Sequence, residues 1–157
     1  MRSRPAGRRI SRPWQSEGMT ADPHRSVSLR RTAAGRFVAS NARGGELSFG
    51  ADPADFTPIE ALLAAIGACT SLDVDALTSR RGEPESFEVT VAADKVRDEA
   101  GNRLENVEVV FRVAFPAGDA GDAARAVLPD MVAKSHDRLC TVSRTVEAAT
   151  PITARLE

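Results

Sequence analysis

Tyrosine is absent from this 157-residue chain, tryptophan occurs once, and aromatic residues make up only 4% of the total. A core with so few rings must be built mainly from Ala, Val, Leu and the six Phe, which predicts packing of aliphatic helices and strands. Cysteine and histidine are equally scarce. Cys69 and Cys140, 71 positions apart, are too few for a disulfide scaffold, and with only His24 and His136 beside them they match no zinc-ligand spacing. They are either packing residues or a redox pair. A net charge of -1 argues against a general nucleic-acid binder, which needs clustered surplus cations. No run approaches the roughly 20 apolar residues of a membrane span, and the N-terminal stretch lacks the apolar segment of a secretory signal. The expectation is a cytoplasmic protein with no membrane or nucleic-acid partner and no metal or cofactor.

What is present is ordinary for one folded domain: 42% hydrophobic and 27% charged residues. The charge is uneven. Residues 1–18 carry five arginines (Arg2, Arg4, Arg8, Arg9, Arg12) against Glu17, a surplus of +4 that leaves -5 for the remainder. Residues 1–25 are rich in Arg, Pro, Ser and Gly without periodicity, so they are expected to form a disordered basic arm ahead of a single domain at 26–157. Met19 is an alternative start. A nucleic-acid role confined to the arm ranks last among the readings, and it would be visible as a steep salt dependence.

From Val27 the pattern becomes β-like. Val27, Leu29 and Arg31 alternate with polar neighbours, Ala33-Ala34-Gly35 turns the chain, and Phe37-Val38-Ala39 follows. Gly44-Gly45 turns it again before Glu46–Phe49. Thr57-Pro58-Ile59-Glu60 combines an N-cap, a first-turn proline and a capping-box glutamate. The long helix it starts is expected to end at Arg80-Arg81-Gly82, and its apolar, alanine-rich middle predicts burial. Period-2 alternation at Phe87, Val89, Val91 and Ala93, then at Val107 to Phe115, predicts an antiparallel hairpin lying on that helix. Residues 120–135 and the segment behind Cys140 read as helices, and 152–156 as a closing strand. The order is βββ-α-ββ-α-α-β, an α+β fold.

On the central helix Cys69 is expected to share a core-facing stripe with Leu62, Ile66, Leu72 and Ala76. Cys140 follows His136-Asp137-Arg138-Leu139 at a helix start, where free N–H groups and nearby cations favour a thiolate. Each cysteine taken alone is equally well read as a small buried hydrophobe.

Together the motifs say more. Pro58 to Thr70 with Leu72-Asp73-Val74, and Ser135-His136-Asp137-Arg138-Leu139-Cys140-Thr141-Val142, resemble the two cysteine sites of the OsmC/Ohr family, over residues 27–157. The Leu-Leu-Ala-Ala and Leu-Asp-Val wording is nearer to the generic OsmC-like branch. The resemblance implies antiparallel sheets around a buried central helix in an intertwined homodimer. It also implies a thiol peroxidase: Cys69 reduces an organic hydroperoxide, its sulfenic acid condenses with Cys140, and an external dithiol resets the disulfide. Family peroxidases hold an activating arginine with a carboxylate ten residues before the first cysteine. Ile59 stands there in this chain, so Glu60 is the neighbouring candidate, although an ideal helix turns it about 180° from Cys69. Asp73, one turn after Cys69, is expected at the dimer seam. Arg36, in the first turn, is the candidate arginine, with Arg43 second. The alternative function is a non-catalytic binder of small hydrophobic molecules.

Overall fold

The computed structural model describes residues 23–156. All but the last three residues of the predicted arm lie outside them. Three short strands, β1 (Ser28–Ala33), β2 (Arg36–Ser40) and β3 (Glu46–Phe49), form an antiparallel meander, followed by the long helix α1 (Pro58–Thr78). A hairpin of β4 (Ser86–Asp98) and β5 (Gly101–Ala114) comes next, then α2 (Asp119–Lys134), a π-helical turn (Ser135–Leu139) and α3 (Thr141–Glu147). This is the expected mixed α+β order up to α3.

The start of α1 is dictated locally. Thr57 accepts from the Glu60 N–H while the Glu60 carboxylate accepts from the Thr57 N–H at 2.8 Å, the reciprocal capping box, and Pro58 fills a position that needs no donor. Its end departs from expectation. The helix stops at Thr78 with Ser79 as cap, whose hydroxyl donates to Asp75. Gly82 serves packing instead: a Cβ there would come within 2.8 Å of the Ala120 carbonyl oxygen.

The hairpin follows its alternation. Phe87, Val89, Val91 and Ala93 are half-buried between exposed neighbours, and Phe87 meets Phe111 edge to face at 6.2 Å. The two strands pair from Ser86↔Ala114 to Asp98↔Gly101, with a bulge between Ala92 and Asp94. Gly67 is what brings this hairpin down onto α1, since a Cβ there would lie 2.8 Å from the Val91 methyl.

Two expectations about α1 are corrected. Its buried residues are Ile66, Gly67, Thr70, Val74 and Thr78, spaced four apart except for Gly67, whereas Leu72 is 71% exposed and Leu62 and Ala76 are also exposed. The predicted stripe with Leu62 and Leu72 therefore does not face this chain's core, because α2, α3 and the hairpin cover the other sides of the helix. The helix is also long and apolar enough by length and composition to cross a bilayer, although no such run was expected; here it packs against α2, β4, α3 and the π-turn. Its buried threonines stay satisfied by donating one turn back, Thr70 to the Ile66 carbonyl and Thr78 to that of Val74.

The expected closing strand does not form. Residues 150–156 are irregular and Ile152 and Leu156 are almost wholly exposed, since they meet no sheet edge of their own chain. The core is thin for a domain of this size: among the described residues the buried apolar side chains are Ile66, Val74, Phe115, Ala124 and Cys140.

Candidate active site

The fold brings the two cysteines together from positions 69 and 140. Cys69 sits half-buried in the middle of α1 on the face that meets the π-turn and α3, and Cys140 is fully buried as the N-cap of α3. The π-turn carries one more residue per turn than an α-helix, so it breaks the continuity of α2 and α3; its last bond runs from the Cys140 N–H to the Ser135 carbonyl at 2.9 Å. Beneath it the Ser135 hydroxyl, with no solvent exposure, donates to Asp73 at 3.0 Å. This bond ties the turn to α1 one helical turn beyond Cys69. Asp73 makes this bond within its own chain.

The sulfurs have different surroundings. Burial pushes the Cys69 thiol up; the Val142 N–H opposes this, but Cys140 and the Asp73 carboxylate raise it further. Burial also pushes Cys140 up, yet the Ser143 hydroxyl at 3.1 Å and its N–H at 3.4 Å, together with Cys69 and the Val142 N–H, outweigh it and leave Cys140 below an ordinary thiol. Both cysteines are free. The site is a pair of mutually interacting thiols, of which Cys69 is the more accessible.

Arg36 and Glu60 lie elsewhere. The Arg36 guanidinium holds Asp55 in a two-bond fork, Nε to Oδ2 at 3.0 Å and Nη2 to Oδ1 at 3.1 Å, and reaches Asp52 at 2.9 Å. Asp55, foremost through that hydrogen bond, pushes the guanidinium's ionisation further up, with Asp52 adding to it. The Asp55 side chain is 2% exposed, and Gly50 leaves the room it occupies, since a Cβ at Gly50 would collide with its carboxylate. None of the groups that shift Cys69 in this chain is a cation. The Glu60 carboxylate is held by the Thr57 N–H and hydroxyl, which keep it below the usual carboxylate range. It borders a cleft of about 510 Å³ between α1 and β4, lined by Leu63, Gly67, Phe87, Val89 and Val91 and not by Cys69. Arg43 lies in the turn that Asn41 closes, and His136 faces Glu147 at 3.8 Å. Asp55, Ser135 and Ser143 were not singled out from the sequence. Asp52 and Asp55, the carboxylates between β3 and the Thr57 cap, were the available signal for the first.

A meander, a long helix and a hairpin, with one cysteine in the helix and another at a later N-cap, define an α+β protein of the two-thiol class. The family model described as OsmC-like protein matches residues 50–155, and the chain belongs to that family. It is similar to an uncharacterized protein of Mycobacterium tuberculosis, 23% identical over 126 residues that cover 79% of this chain and 90% of the relative. Among solved structures it resembles an OsmC-like protein of unknown function from Vibrio cholerae, with a TM-score of 0.66 at 18% identity over 79% of this chain and 94% of that one. It also resembles an organic hydroperoxide resistance protein from Elizabethkingia anophelis, with a TM-score of 0.53 at 17% identity over 81% and 91%. At these identities the structural likeness establishes the fold.

Proposed function

We propose that the protein is a cytoplasmic thiol-dependent peroxidase that reduces organic hydroperoxides through a Cys69 sulfenic acid and a Cys69–Cys140 disulfide, which an external dithiol then reduces. The observation that carries this reading is the meeting of two free thiols, one accessible and one buried, from segments 71 residues apart. A hydroperoxide reaches Cys69, the O–O bond breaks, and the alcohol leaves; Cys140 then displaces water from the sulfenic acid. A similar protein from Elizabethkingia anophelis bears the name of organic hydroperoxide resistance, which is consistent with this chemistry.

The working unit in this reading is an intertwined homodimer. Support comes from the meander, whose main contacts are among its own strands, and from the apolar side chains left exposed on it and on α1, among them Leu29, Phe37, Leu62 and Leu72. A second copy covering them would complete a core that one chain leaves thin. Arg36 would then act on Cys69 from the partner's meander.

The test is stopped-flow oxidation of the reduced protein by cumene hydroperoxide and by hydrogen peroxide, with thiol counting. Fast loss of both thiols with the organic peroxide is expected, abolished in Cys69→Ser and replaced by a trappable sulfenic acid in Cys140→Ser. Survival of both thiols at rates like free cysteine would overturn the reading. The cleft beside Phe87 and Val89 would then favour a non-catalytic binder of small apolar molecules.

A further inference from the structure

The π-turn that delivers Cys140 is held at its ends and exposed in between: residues 136–139 face solvent, whereas Ser135 and Cys140 have no solvent exposure. Ser135 is therefore the point at which the turn is fixed, and it makes two bonds toward the thiol pair. Its hydroxyl donates to the Asp73 carboxylate at 3.0 Å, and its carbonyl accepts from the Cys140 N–H at 2.9 Å. Asp73 follows Cys69 by four residues on α1, so the two lie within about 40° on one face of the helix. One buried residue thus links the helix of one cysteine to the backbone of the other. We propose that Ser135 and Asp73 are positioning residues for disulfide formation, which hold Cys140 against Cys69 so that a Cys69 sulfenic acid is captured within the chain. The inference rests on the peroxidase reading for its oxidant and not for the closing of the pair.

The need for such a link follows from the chemistry. The Cys69 sulfur takes the distal peroxide oxygen, the O–O bond breaks, and the alcohol leaves with the thiol proton, the sulfur having given up two electrons. The Cys140 sulfur then attacks the Cys69 sulfur; the S–S bond forms as the S–O bond breaks, and the hydroxyl leaves with the Cys140 proton as water. The first step uses one cysteine and an incoming molecule, so it does not depend on where Cys140 stands. The second brings two sulfurs from segments 71 residues apart to about 2 Å, and a misplacement of about 1 Å in such a step can cost on the order of a hundredfold in rate. Without a fixed turn the sulfenic acid waits for its partner and is open to further oxidation.

The other side-chain contacts of the turn do not serve this purpose. His136 faces Glu147 on α3 at 3.8 Å, and the Arg144 guanidinium donates to the Asp137 carbonyl, so both join the turn to the helix that follows it and neither reaches α1. Among the described residues, the side-chain hydrogen bond that joins the turn to α1 is that from Ser135 to Asp73. Asp73 is also charged, and its charge bears on Cys69 from the same helix. Tether and charge are separable, since an amide at position 73 keeps an oxygen for the Ser135 hydroxyl and removes the charge.

The experiment separates the two steps by stopped flow in the reduced full chain, with cumene hydroperoxide and dimedone trapping of the sulfenic acid, in wild type, Ser135→Ala, Asp73→Ala and Asp73→Asn. In Ser135→Ala and Asp73→Ala the conversion of sulfenic acid to disulfide should slow by about tenfold, and dimedone capture at Cys69 should rise. In Ser135→Ala sulfenic acid formation should change by no more than about twofold, a split that loss of stability alone would not produce. Asp73→Asn should recover most of the disulfide rate lost in Asp73→Ala. Diamide, an azo oxidant that accepts both electrons of the pair, closes it without peroxide and should rank the variants in the same order. Equal disulfide rates in wild type and folded Ser135→Ala, or an Asp73→Asn that is no better than Asp73→Ala, would overturn the inference. If Ser135→Ala does not fold, the two Asp73 variants decide. A wild type inert to the peroxide, with diamide still ranking the variants in that order, would sink the peroxidase reading and leave the positioning role standing.

Discussion

The thiol pair and the Arg36 fork are both assembled from short segments, but their own chain encloses only the first. Cys140, Ser135 and Ser143 are buried, and α1, α2, the π-turn and α3 pack on one another around them. Arg36 holds two carboxylates with near-ideal distances, yet it is 45% exposed and its meander packs chiefly on itself. Order in the first region comes from tertiary packing, and in the second from local hydrogen bonds and a charge pair. The lesson is that good local geometry does not by itself mark a completed site: the meander is well bonded within itself and still leaves Leu29 and Phe37 exposed.

Breaking the packed region should have the largest effect. Ser135→Val removes the donor to Asp73 and leaves a half-buried carboxylate without that partner, which should cost about 1–3 kcal/mol in urea unfolding. The meander should respond locally: Asp55→Asn weakens the fork, and amide exchange in β2 and β3 should accelerate roughly tenfold while α1 is unaffected. Equal acceleration in α1 would mean that the two regions open together and the contrast is wrong. The smallest effect belongs to the junction between them. Thr57→Ala should cost about 1 kcal/mol through loss of the cap. Glu60 sharpens this, because its folded-state ionisation lies below the ordinary value of 4.5, held there first by the Thr57 N–H. Its contribution is present above that pH and disappears as acid protonates it, so Glu60→Gln should be less stable than wild type at neutral pH and converge with it below pH 4.5.

The same contrast governs what could be read in advance. The capping box spans four residues, and the hairpin alternation is a property of consecutive positions, so both were legible along with the three-strand meander. The buried face of α1 was not, because an apolar residue type occurs all round the helix and only the packing partners choose among Ile66, Leu62 and Leu72. The bond from Ser135 to Asp73 joins positions 62 apart and leaves no local signature. The cysteines were found through two linked motifs. Their environments were not, since the Ser143 hydroxyl reaches Cys140 only once the chain turns at that cap. The carboxylate that Arg36 holds, Asp55, lies just ahead of the helix cap and outside the helix whose residues 59 and 60 carried the motif.

The π-turn has a consequence for which changes of length this segment tolerates. Residues 135–139 spend one residue more than an α-helical turn would, and that residue is what separates α2 from α3. Deleting it invites the two helices to merge, and a merged helix would swing Cys140 round by about 100°. Side chains on the outside of the turn, such as Asp137 and Arg138, can be exchanged freely, but the number of residues there cannot: the spacing of the two sulfurs is kept by counting, and a single-codon loss would erase it without altering either cysteine.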